Sequence, residues 1–264
     1  MSQLSIQQLE VLVVEPSSTQ HKIIEGYLTA LGAPGTRWAQ TGEAALELMQ
    51  SAIPDLVIST MHLPDMTGTE LVQHMRADER LIDIAFMLVS SETGIHYLEP
   101  LRQAGVVAML PKPCSQDQLR ASLFAALDFL EPEPLELAHL APDEMNVLIV
   151  DDSFTSRHIV RQMLEKMGVE KISEAENGRQ AIEHIEKEFF DLIVTDYNMP
   201  EMDGAQLSQF IREESSQQSV PVLMVTSETD KARLAGVEKS GVSAVFDKPF
   251  NADTLRTTIQ RLLV

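Results

Sequence analysis

Short apolar runs alternate with longer segments of helical periodicity along the chain. In the C-terminal half, the apolar runs occupy Val147–Val150, Lys171–Ser173, Leu192–Thr195, Val220–Val225 and Val242–Phe246. Runs of this length, each followed by a helical segment, are typical of buried strands in a parallel sheet. The pattern therefore predicts five βα units that form a doubly wound α/β domain.

The first two predicted helices of this half carry clear start and stop signals. Ser153 can cap the first helix and Gly168 ends it, whereas Asn177 and Gly178 begin the second. Each helix keeps its apolar residues on one face, and these are Ile159, Met163 and Met167 in the first helix and Ala181, Ile182 and Ile185 in the second. Both helices are therefore predicted to pack one face on the sheet.

The same pattern of residues occurs twice. Val11–Ser17 aligns with Val147–Ser153 at an offset of 136 residues (147 minus 11). The offset also aligns Gly32 with Gly168, Gly42 with Gly178, Asp55 with Asp191, Pro64–Gly68 with Pro200–Gly204, Ser91–Thr93 with Ser227–Thr229, and Lys112–Pro113 with Lys248–Pro249. Each copy is long enough to bury its own core, so we predict a duplicated domain at residues 8–130 and 146–264.

Residues 131–145 are predicted to be a linker between the two copies. Glu131–Pro134 contains two prolines, which prevent the preceding helix from continuing. The following stretch is either a tether or, through Leu135, Leu137 and Leu140, a short docking helix. The placement of the two domains relative to each other does not follow from this pattern.

Composition narrows the classes of function. Forty acidic residues against 20 basic residues give a formal net charge of −20, which disfavours binding to nucleic acid and to anionic membranes. The single cysteine, Cys114, excludes an internal disulfide and a cysteine-based zinc site. The N-terminus lacks the features of a signal peptide, and no apolar stretch is long enough to cross a bilayer. We therefore expect a cytoplasmic protein.

Polar residues follow the predicted strands of the second copy. Asp151 and Asp152 follow the first strand, Asp196 the third, Thr226 the fourth and Lys248 the fifth. The carboxyl ends of parallel strands form the ligand-binding edge of such a sheet, so these side chains are expected to converge. Three carboxylates repel one another unless a hard cation lies between them, and oxygen ligands suit Mg²⁺.

The residues of this set could also bind and accept a phosphoryl group. Lys248 and Thr226 can stabilise its oxygens, and Asp196 can attack phosphorus to form an acyl phosphate. Each residue taken alone is equally well explained as a solvated residue at the end of a strand. The function is indicated by the complete set.

The complete set resembles the response-regulator receiver family, and the resemblance covers the whole second copy. It rests on Val147–Ser153, Asp191–Gly204, Met224–Ser227 and Asp247–Phe250. The resemblance implies a flavodoxin-like parallel sheet with strand order 2-1-3-4-5 in each domain. It also implies phosphoryl transfer in a bacterial-type two-component pathway.

The resemblance assigns a role to each matching residue. It implies Asp196 as phosphoacceptor, Asp151, Asp152 and Asp196 with the main-chain carbonyl of Asn198 as Mg²⁺ ligands, and Thr226 and Lys248 as phosphoryl sensors. The implied donor is a phosphohistidine on a sensor histidine kinase or a histidine phosphotransfer protein. The implied chemistry is limited to phosphoryl transfer to the protein itself and hydrolysis of the product, so we do not expect an enzyme.

The second copy departs from the family at one position. Many receivers have Tyr or Phe three residues before the lysine, but this chain has Val245. Phe246 is adjacent, and strand alternation turns it to the opposite face. We therefore expect the switch to depend on shifts of the loop and helix around Thr226 to Lys239.

The first copy lacks the phosphoacceptor. The offset places Glu15, Pro16, Thr60, Ser90 and Lys112 at the positions of Asp151, Asp152, Asp196, Thr226 and Lys248. We expect Glu15 and Lys112 to form an ion pair in place of a Mg²⁺ site. Nothing that flanks Thr60 favours its phosphorylation. The first copy thus resembles a degenerate receiver, and we expect it to dock a partner or to dimerise through residues 94–130.

Four other residues of the first copy are weaker candidates. Trp38 is either an anchor for a partner or a packing residue at the edge of the sheet. His62, His74 and His96 lack the spacing of metal ligands and are expected to be surface or loop residues.

Three functions remain open at this point. The leading hypothesis is a stand-alone tandem regulator, because the sequence ends at Val264 directly after the last predicted helix and leaves no room for a DNA-binding or enzymatic output domain. Its output would be contact with a downstream protein or with a second copy. The second hypothesis is a phosphate shuttle or sink in a phosphorelay. The third is a hydrolase with an aspartyl nucleophile, which usually has another acid where this chain has Asn198. The chain is alternatively the N-terminal receiver fragment of a longer regulator.

Overall fold

The computed structural model describes residues 4–33, 35–91, 100, 101, 103–226 and 241–263. Its contacts divide the chain into two units, Met1–Pro132 and Glu133–Val264. Each unit contains one five-stranded parallel sheet, so the predicted fold class is confirmed. Among the helices in the described ranges, none has both the length and the apolar character needed to cross a membrane.

The first unit has its strands in the order β2-β1-β3-β4-β5. These strands are β1 (Val11–Val14), β2 (Arg37–Ala39), β3 (Leu56–Thr60), β4 (Ala85–Ser90) and β5 (Ala108–Pro111). The helices with defined bounds are α1 (Ser18–Ala30), α2 (Gly42–Ser51), α3 (Gly68–Ala77) and α4 (Gln116–Leu130), and a 3₁₀ turn (Ile6–Gln8) precedes β1.

The second unit repeats this topology in the order β7-β6-β8-β9-β10. Its strands are β6 (Asn146–Val150), β7 (Lys171–Ala175), β8 (Leu192–Asp196), β9 (Val222–Thr226) and β10 (Ala244–Asp247). Its helices with defined bounds are α5 (Phe154–Lys166), α6 (Gly178–Ile185), α7 (Gly204–Glu213) and α8 (Ala252–Leu262). Strand β9 begins two residues later than the apolar run predicts, because Pro221 has no N–H to donate to the ladder.

The central strands are buried along almost their whole length. Every residue of β8 and of β9 is buried, as a parallel sheet covered by helices on both faces requires. Leu148 and Ile193 on the strands pack in one cluster with Leu207 and Ile211 of α7. This cluster holds α7 against the sheet, directly after the end of β8.

The predicted helix boundaries of the second unit are confirmed. The Ser153 side chain accepts a hydrogen bond from the N–H of Ser156, and Asn177 caps α6 in the same way through Gln180. Helix α5 ends at Lys166, and Gly168 follows with a φ of 102°, a conformation that favours glycine. The predicted inward faces are also confirmed, because Ile159, Met163, Met167, Ala181 and Ile185 are buried and Ile182 is partly buried.

The segment before β6 packs against the second unit. Leu135 is buried, and its N–H donates to the main-chain oxygen of Met167 at 3.0 Å. Gln260 donates from Nε2 to the main-chain oxygen of Glu136 at 3.1 Å. All residues from 133 to 141 are described and contain no helix, and only a 3₁₀ turn (Pro142–Glu144) leads into β6. Of the two alternatives for this stretch, the short docking helix is therefore not found.

Candidate functional site

Four of the predicted site residues of the second unit meet at one edge of its sheet. Asp151 follows β6, Asp196 ends β8, Thr226 ends β9 and Lys248 follows β10. All four residues are buried. Neighbouring strands in the order β6-β8-β9-β10 bring their carboxyl ends together, so residues distant in sequence share one site.

Lys248 joins the two buried carboxylates. Its Nζ lies 2.8 Å from Oδ2 of Asp151 and 2.8 Å from Oδ1 of Asp196. The other oxygen of each carboxylate accepts a main-chain N–H, from Ser153 at 2.9 Å to Asp151 and from Asn198 at 2.8 Å to Asp196. The two carboxylates are therefore held in fixed orientations.

Burial changes the electrostatics of this site. It raises the pKa of Asp196 to about 6, since the neighbouring charge of Asp151 adds to the effect of burial and Lys248 opposes it only in part. Burial alone would lower the pKa of Lys248, but the attraction of Asp151 and Asp196 outweighs burial and raises that pKa. The lysine therefore remains a cation, and a further cation near Asp196 would favour its ionised form.

The remaining predicted residues surround this buried cluster. Asp152 and Asn198 are exposed beside it. Thr226 accepts the main-chain N–H of Lys248 with its main-chain oxygen at 2.7 Å, and its side chain is fully buried. Thr226 and Lys248 are therefore placed together by the pairing of β9 with β10.

The sequence pattern missed Ser156. Its Oγ donates to Oδ2 of Asp151 at 2.5 Å and accepts a hydrogen bond from Nζ of Lys248 at 3.0 Å. The only signal in the sequence is its place in the first turn of α5, three residues after the capping Ser153. Whether a polar residue in that turn faces the ligand-binding edge depends on how α5 is rotated about its axis against the sheet.

Arg157 was also missed. It is buried, and its Nη1 donates to the main-chain oxygen of Asp151 at 2.7 Å. Its guanidinium pairs with Glu174 at 3.0 Å and with Glu176 at 3.4 Å, and Arg161 also pairs with Glu174. These contacts tie the start of α5 and the end of β7 to the end of β6.

The donor set fits Mg²⁺. Among the residues with described placement, no three His, Cys, Asp or Glu side chains form a metal-binding group, and Lys248 contacts both Asp151 and Asp196. Mg²⁺ needs only one or two carboxylates and keeps several waters. Oδ1 of Asp151 and both carboxylate oxygens of Asp196 each accept one hydrogen bond and can accept a further interaction, whereas Oδ2 of Asp151 already accepts from Lys248 and Ser156. Asp151 and Asp196, with the exposed Asp152 beside them, would hold the ion.

Gly204 allows the loop after Asp196 to fold back on the strand. A Cβ at this position would collide with the main-chain oxygen of Asp196. The N–H of Gly204 donates to the main-chain oxygen of Tyr197 at 2.9 Å. Glycine is therefore required at the first residue of α7 for the backbone around Asp196 to adopt this conformation.

At the equivalent site of the first unit, three side chains contact one another. Nζ of Lys112 lies 2.7 Å from Oε2 of Glu15 and 2.6 Å from Oγ1 of Thr60. The predicted ion pair between Glu15 and Lys112 is thus present. Pro16 has no side-chain ligand to offer, and Ser90 is buried at the end of β4.

Trp38 packs at the edge of the first sheet. Its Nε1 donates to the main-chain oxygen of Glu15 at 2.8 Å, and its ring stacks on His21 with centroids 4.3 Å apart and planes 16° apart. This geometry agrees with the packing hypothesis for Trp38. His62 and His74 take part in no metal-binding group of described residues, and His96 lies outside those residues.

One prediction lies largely, and another in part, outside the described residues. The predicted switch segment from Thr226 to Lys239 is described only at Thr226, and residues 94–99 and 102 of the predicted docking face at 94–130 lie outside the described residues. Within the described part, Val245 pairs with Met224 between β10 and β9. Phe246 stacks on Phe250 with centroids 5.8 Å apart.

This chain is similar to known proteins. The response regulator receiver domain family matches residues 11–124 and 147–260. Chemotaxis protein CheY-3 of Vibrio cholerae is 37% identical over 118 residues, which are 45% of this chain and 91% of that protein. The chemotaxis protein CheY homolog of Campylobacter jejuni is 37% identical over 120 residues, which are 45% of this chain and 92% of that protein. The solved structure of the V. cholerae chemotaxis response regulator CheY4 is 36% identical and covers 45% of this chain and 98% of its own, with a TM-score of 0.42.

Proposed function

This chain belongs to the response regulator receiver family, and we propose that its second unit accepts a phosphoryl group on Asp196 with the help of Mg²⁺. The observation that carries this proposal is the buried cluster of Asp151, Asp196 and Lys248 at the carboxyl edge of the sheet. Such a cluster combines a nucleophile, metal ligands and a cation for the phosphoryl oxygens. The proposed pathway is two-component signalling.

The transfer is a displacement at phosphorus. A carboxylate oxygen of Asp196 attacks the phosphoryl group, the P–N bond of the donor phosphohistidine breaks, and the imidazole leaves with the electron pair. Mg²⁺, when bound, neutralises the charge on the phosphoryl oxygens. Lys248 holds one of those oxygens by an ionic contact, and the hydroxyl of Thr226 donates a hydrogen bond to another. Hydrolysis of the acyl phosphate by water returns Asp196 and inorganic phosphate.

The first unit has a different role in this proposal. Lys112 bridges Glu15 and Thr60, so the position of the phosphoacceptor holds a hydroxyl that is already paired. We assign this unit to docking or dimerisation, because function in a receiver frame without an acceptor resides in its surface.

The proposed partners follow from this chemistry. The donor is a sensor histidine kinase or a histidine phosphotransfer protein in the cytoplasm, and the output is contact with a downstream protein. The protein modifies only itself and is in that sense not an enzyme. A phosphate shuttle or sink is the alternative, and the lifetime of the acyl phosphate separates the two functions, because a sink must lose its phosphoryl group rapidly.

The experiment is phosphorylation with acetyl phosphate and Mg²⁺, followed by intact mass measurement. The native chain is expected to gain one phosphoryl group, and Asp196→Asn is expected to gain none. Asp191→Asn is the matched control, because Asp191 lies at the opposite edge of the sheet and accepts the main-chain N–H of Asn146 at 2.8 Å. A folded native chain that gains no mass, or an Asp196→Asn variant that still gains it, contradicts the proposal. Thr60→Ala tests the remaining acceptor and is expected to be phosphorylated like the native chain.

A further inference from the structure

Ser156 connects the two kinds of charge in the site. The residue is 6% exposed, and its hydroxyl donates to Oδ2 of Asp151 at 2.5 Å. Oγ of Ser156 also accepts a hydrogen bond from Nζ of Lys248 at 3.0 Å. A hydroxyl has one hydrogen to donate, so its donation to Asp151 fixes its orientation while a lone pair faces Lys248.

The protein holds this hydroxyl on a rigid element. The N–H of Ser156 donates to the capping Ser153 at 3.3 Å. The next residue, Arg157, donates to the main-chain oxygen of Asp151 at 2.7 Å. The first turn of α5 is therefore tied to Asp151 through both its main chain and its carboxylate, and Ser156 Oγ has little freedom to move away.

Three oxygens of described residues accept hydrogen bonds from the ammonium group of Lys248. They belong to Asp151 at 2.8 Å, Asp196 at 2.8 Å and Ser156 at 3.0 Å. An ammonium group has three hydrogens, so each of these oxygens can accept one. Ser156 is the uncharged member of this set, and its oxygen directs Lys248 without adding negative charge.

We propose that Ser156 is a positioning residue that orients the Asp151 carboxylate for Mg²⁺, an inference that rests on the proposed function. The carboxylate oxygen that Ser156 contacts is otherwise held only by Lys248 among the contacts described above. Loss of a hydrogen-bond partner behind a metal-ligating side chain weakens metal binding by about 10–100-fold. In the first unit, which has no acceptor, the aligned residue is the exposed Gln20.

The test is Mg²⁺ titration of the full chain by calorimetry, without a phosphoryl donor. Ser156→Ala is expected to bind Mg²⁺ about 10-fold more weakly than the native chain. Ser156→Thr keeps the hydroxyl and is expected to bind within about threefold of the native chain. Ser215→Ala is the matched control, because Ser215 is a buried serine of the same unit whose Oγ donates to the main-chain oxygen of Ile211 at 2.7 Å. Circular dichroism establishes that each variant is folded before titration.

The outcomes separate this inference from the proposed function. Native affinity in Ser156→Ala overturns the role of Ser156 and leaves the Mg²⁺ site in place. A loss in Ser156→Ala that Ser156→Thr does not restore, or an equal loss in Ser215→Ala, also overturns it, because the hydroxyl is then not the cause. A native chain that binds no Mg²⁺ contradicts the proposed function itself, and the inference about Ser156 with it.

Discussion

Trp38 donates its indole N–H to the main-chain oxygen of Glu15 at 2.8 Å. In the second unit, Arg157 makes the corresponding bond to the main-chain oxygen of Asp151 at 2.7 Å. Trp38 comes from strand β2, whereas Arg157 comes from helix α5. The equivalent carbonyls of Glu15 and Asp151 therefore accept hydrogen bonds from different elements. In the first unit the donor, Trp38, stacks on His21, and in the second unit the donor, Arg157, belongs to an ion-pair network.

Trp38→Phe is expected to destabilise the first unit. The phenyl ring keeps most of the packing but removes the only donor described for the Glu15 carbonyl, which costs about 1–2 kcal/mol. Hydrogen exchange of the amides of β1 and β2 measures the loss within this unit alone. Phe124→Leu is the control, because Phe124 is an exposed aromatic residue of the same unit. Unchanged exchange in Trp38→Phe would show that the bond contributes little.

The pairing of Glu15 with Lys112 is expected to appear as a coupling energy. Lys112→Met leaves the Glu15 carboxylate, whose side chain is 5% exposed, without its cation and should cost about 3 kcal/mol. Glu15→Gln combined with Lys112→Met should cost less than Lys112→Met alone, because no buried charge remains. Urea denaturation of the native chain, of Glu15→Gln, of Lys112→Met and of the double variant measures the coupling energy. Additive single effects, within about 0.5 kcal/mol, would contradict the ion pair.

Gly204→Ala is expected to lower stability by about 1–3 kcal/mol and to slow phosphorylation. The new Cβ would collide with the main-chain oxygen of Asp196, so the backbone at Asp196, the proposed acceptor, must shift. Gly26→Ala is the control, since a Cβ at this exposed position in α1 would meet no atom within 4 Å. That change should stabilise the protein by about 0.5–1 kcal/mol. Native stability and native phosphorylation in Gly204→Ala would contradict the predicted clash.

The acid sensitivity of the second unit is expected to depend on Glu174. Burial alone would raise the pKa of Glu174, but hydrogen bonds and charge interactions with Arg161 and Arg157 outweigh it and lower that pKa from 4.5. The associated stability is fully present above pH 4.5 and is lost as the pH falls through the lowered folded-state value. Glu174→Gln should therefore lose less stability than the native chain over this acidic window. Melting temperatures measured from neutral pH downwards test this, and equal acid slopes for the two proteins would refute it.

Much of the site could be predicted because sheet topology relates sequence to space simply. Asp151, Asp196 and Lys248 follow strands whose carboxyl ends must meet in a parallel sheet, so their proximity required no knowledge of side-chain packing. The ion pair of Glu15 with Lys112 follows from the same topology in the first unit. The sequence left a docking helix through Leu135 open as an alternative, because hydrophobic spacing alone does not distinguish a helix from a non-helical segment that buries single residues.

The sequence alone determined the two βα frames, the helix caps and the polar residues at the carboxyl ends of the strands, since these depend on local periodicity and on the order of the strands. Only the tertiary structure decided which other groups complete the site. Ser156 contacts Lys248 across 92 residues because α5 has one particular rotation against the sheet. Trp38 takes the place of Arg157 although the two residues do not align, because a hydrogen bond depends on where a donor lies in space and not on which element carries it.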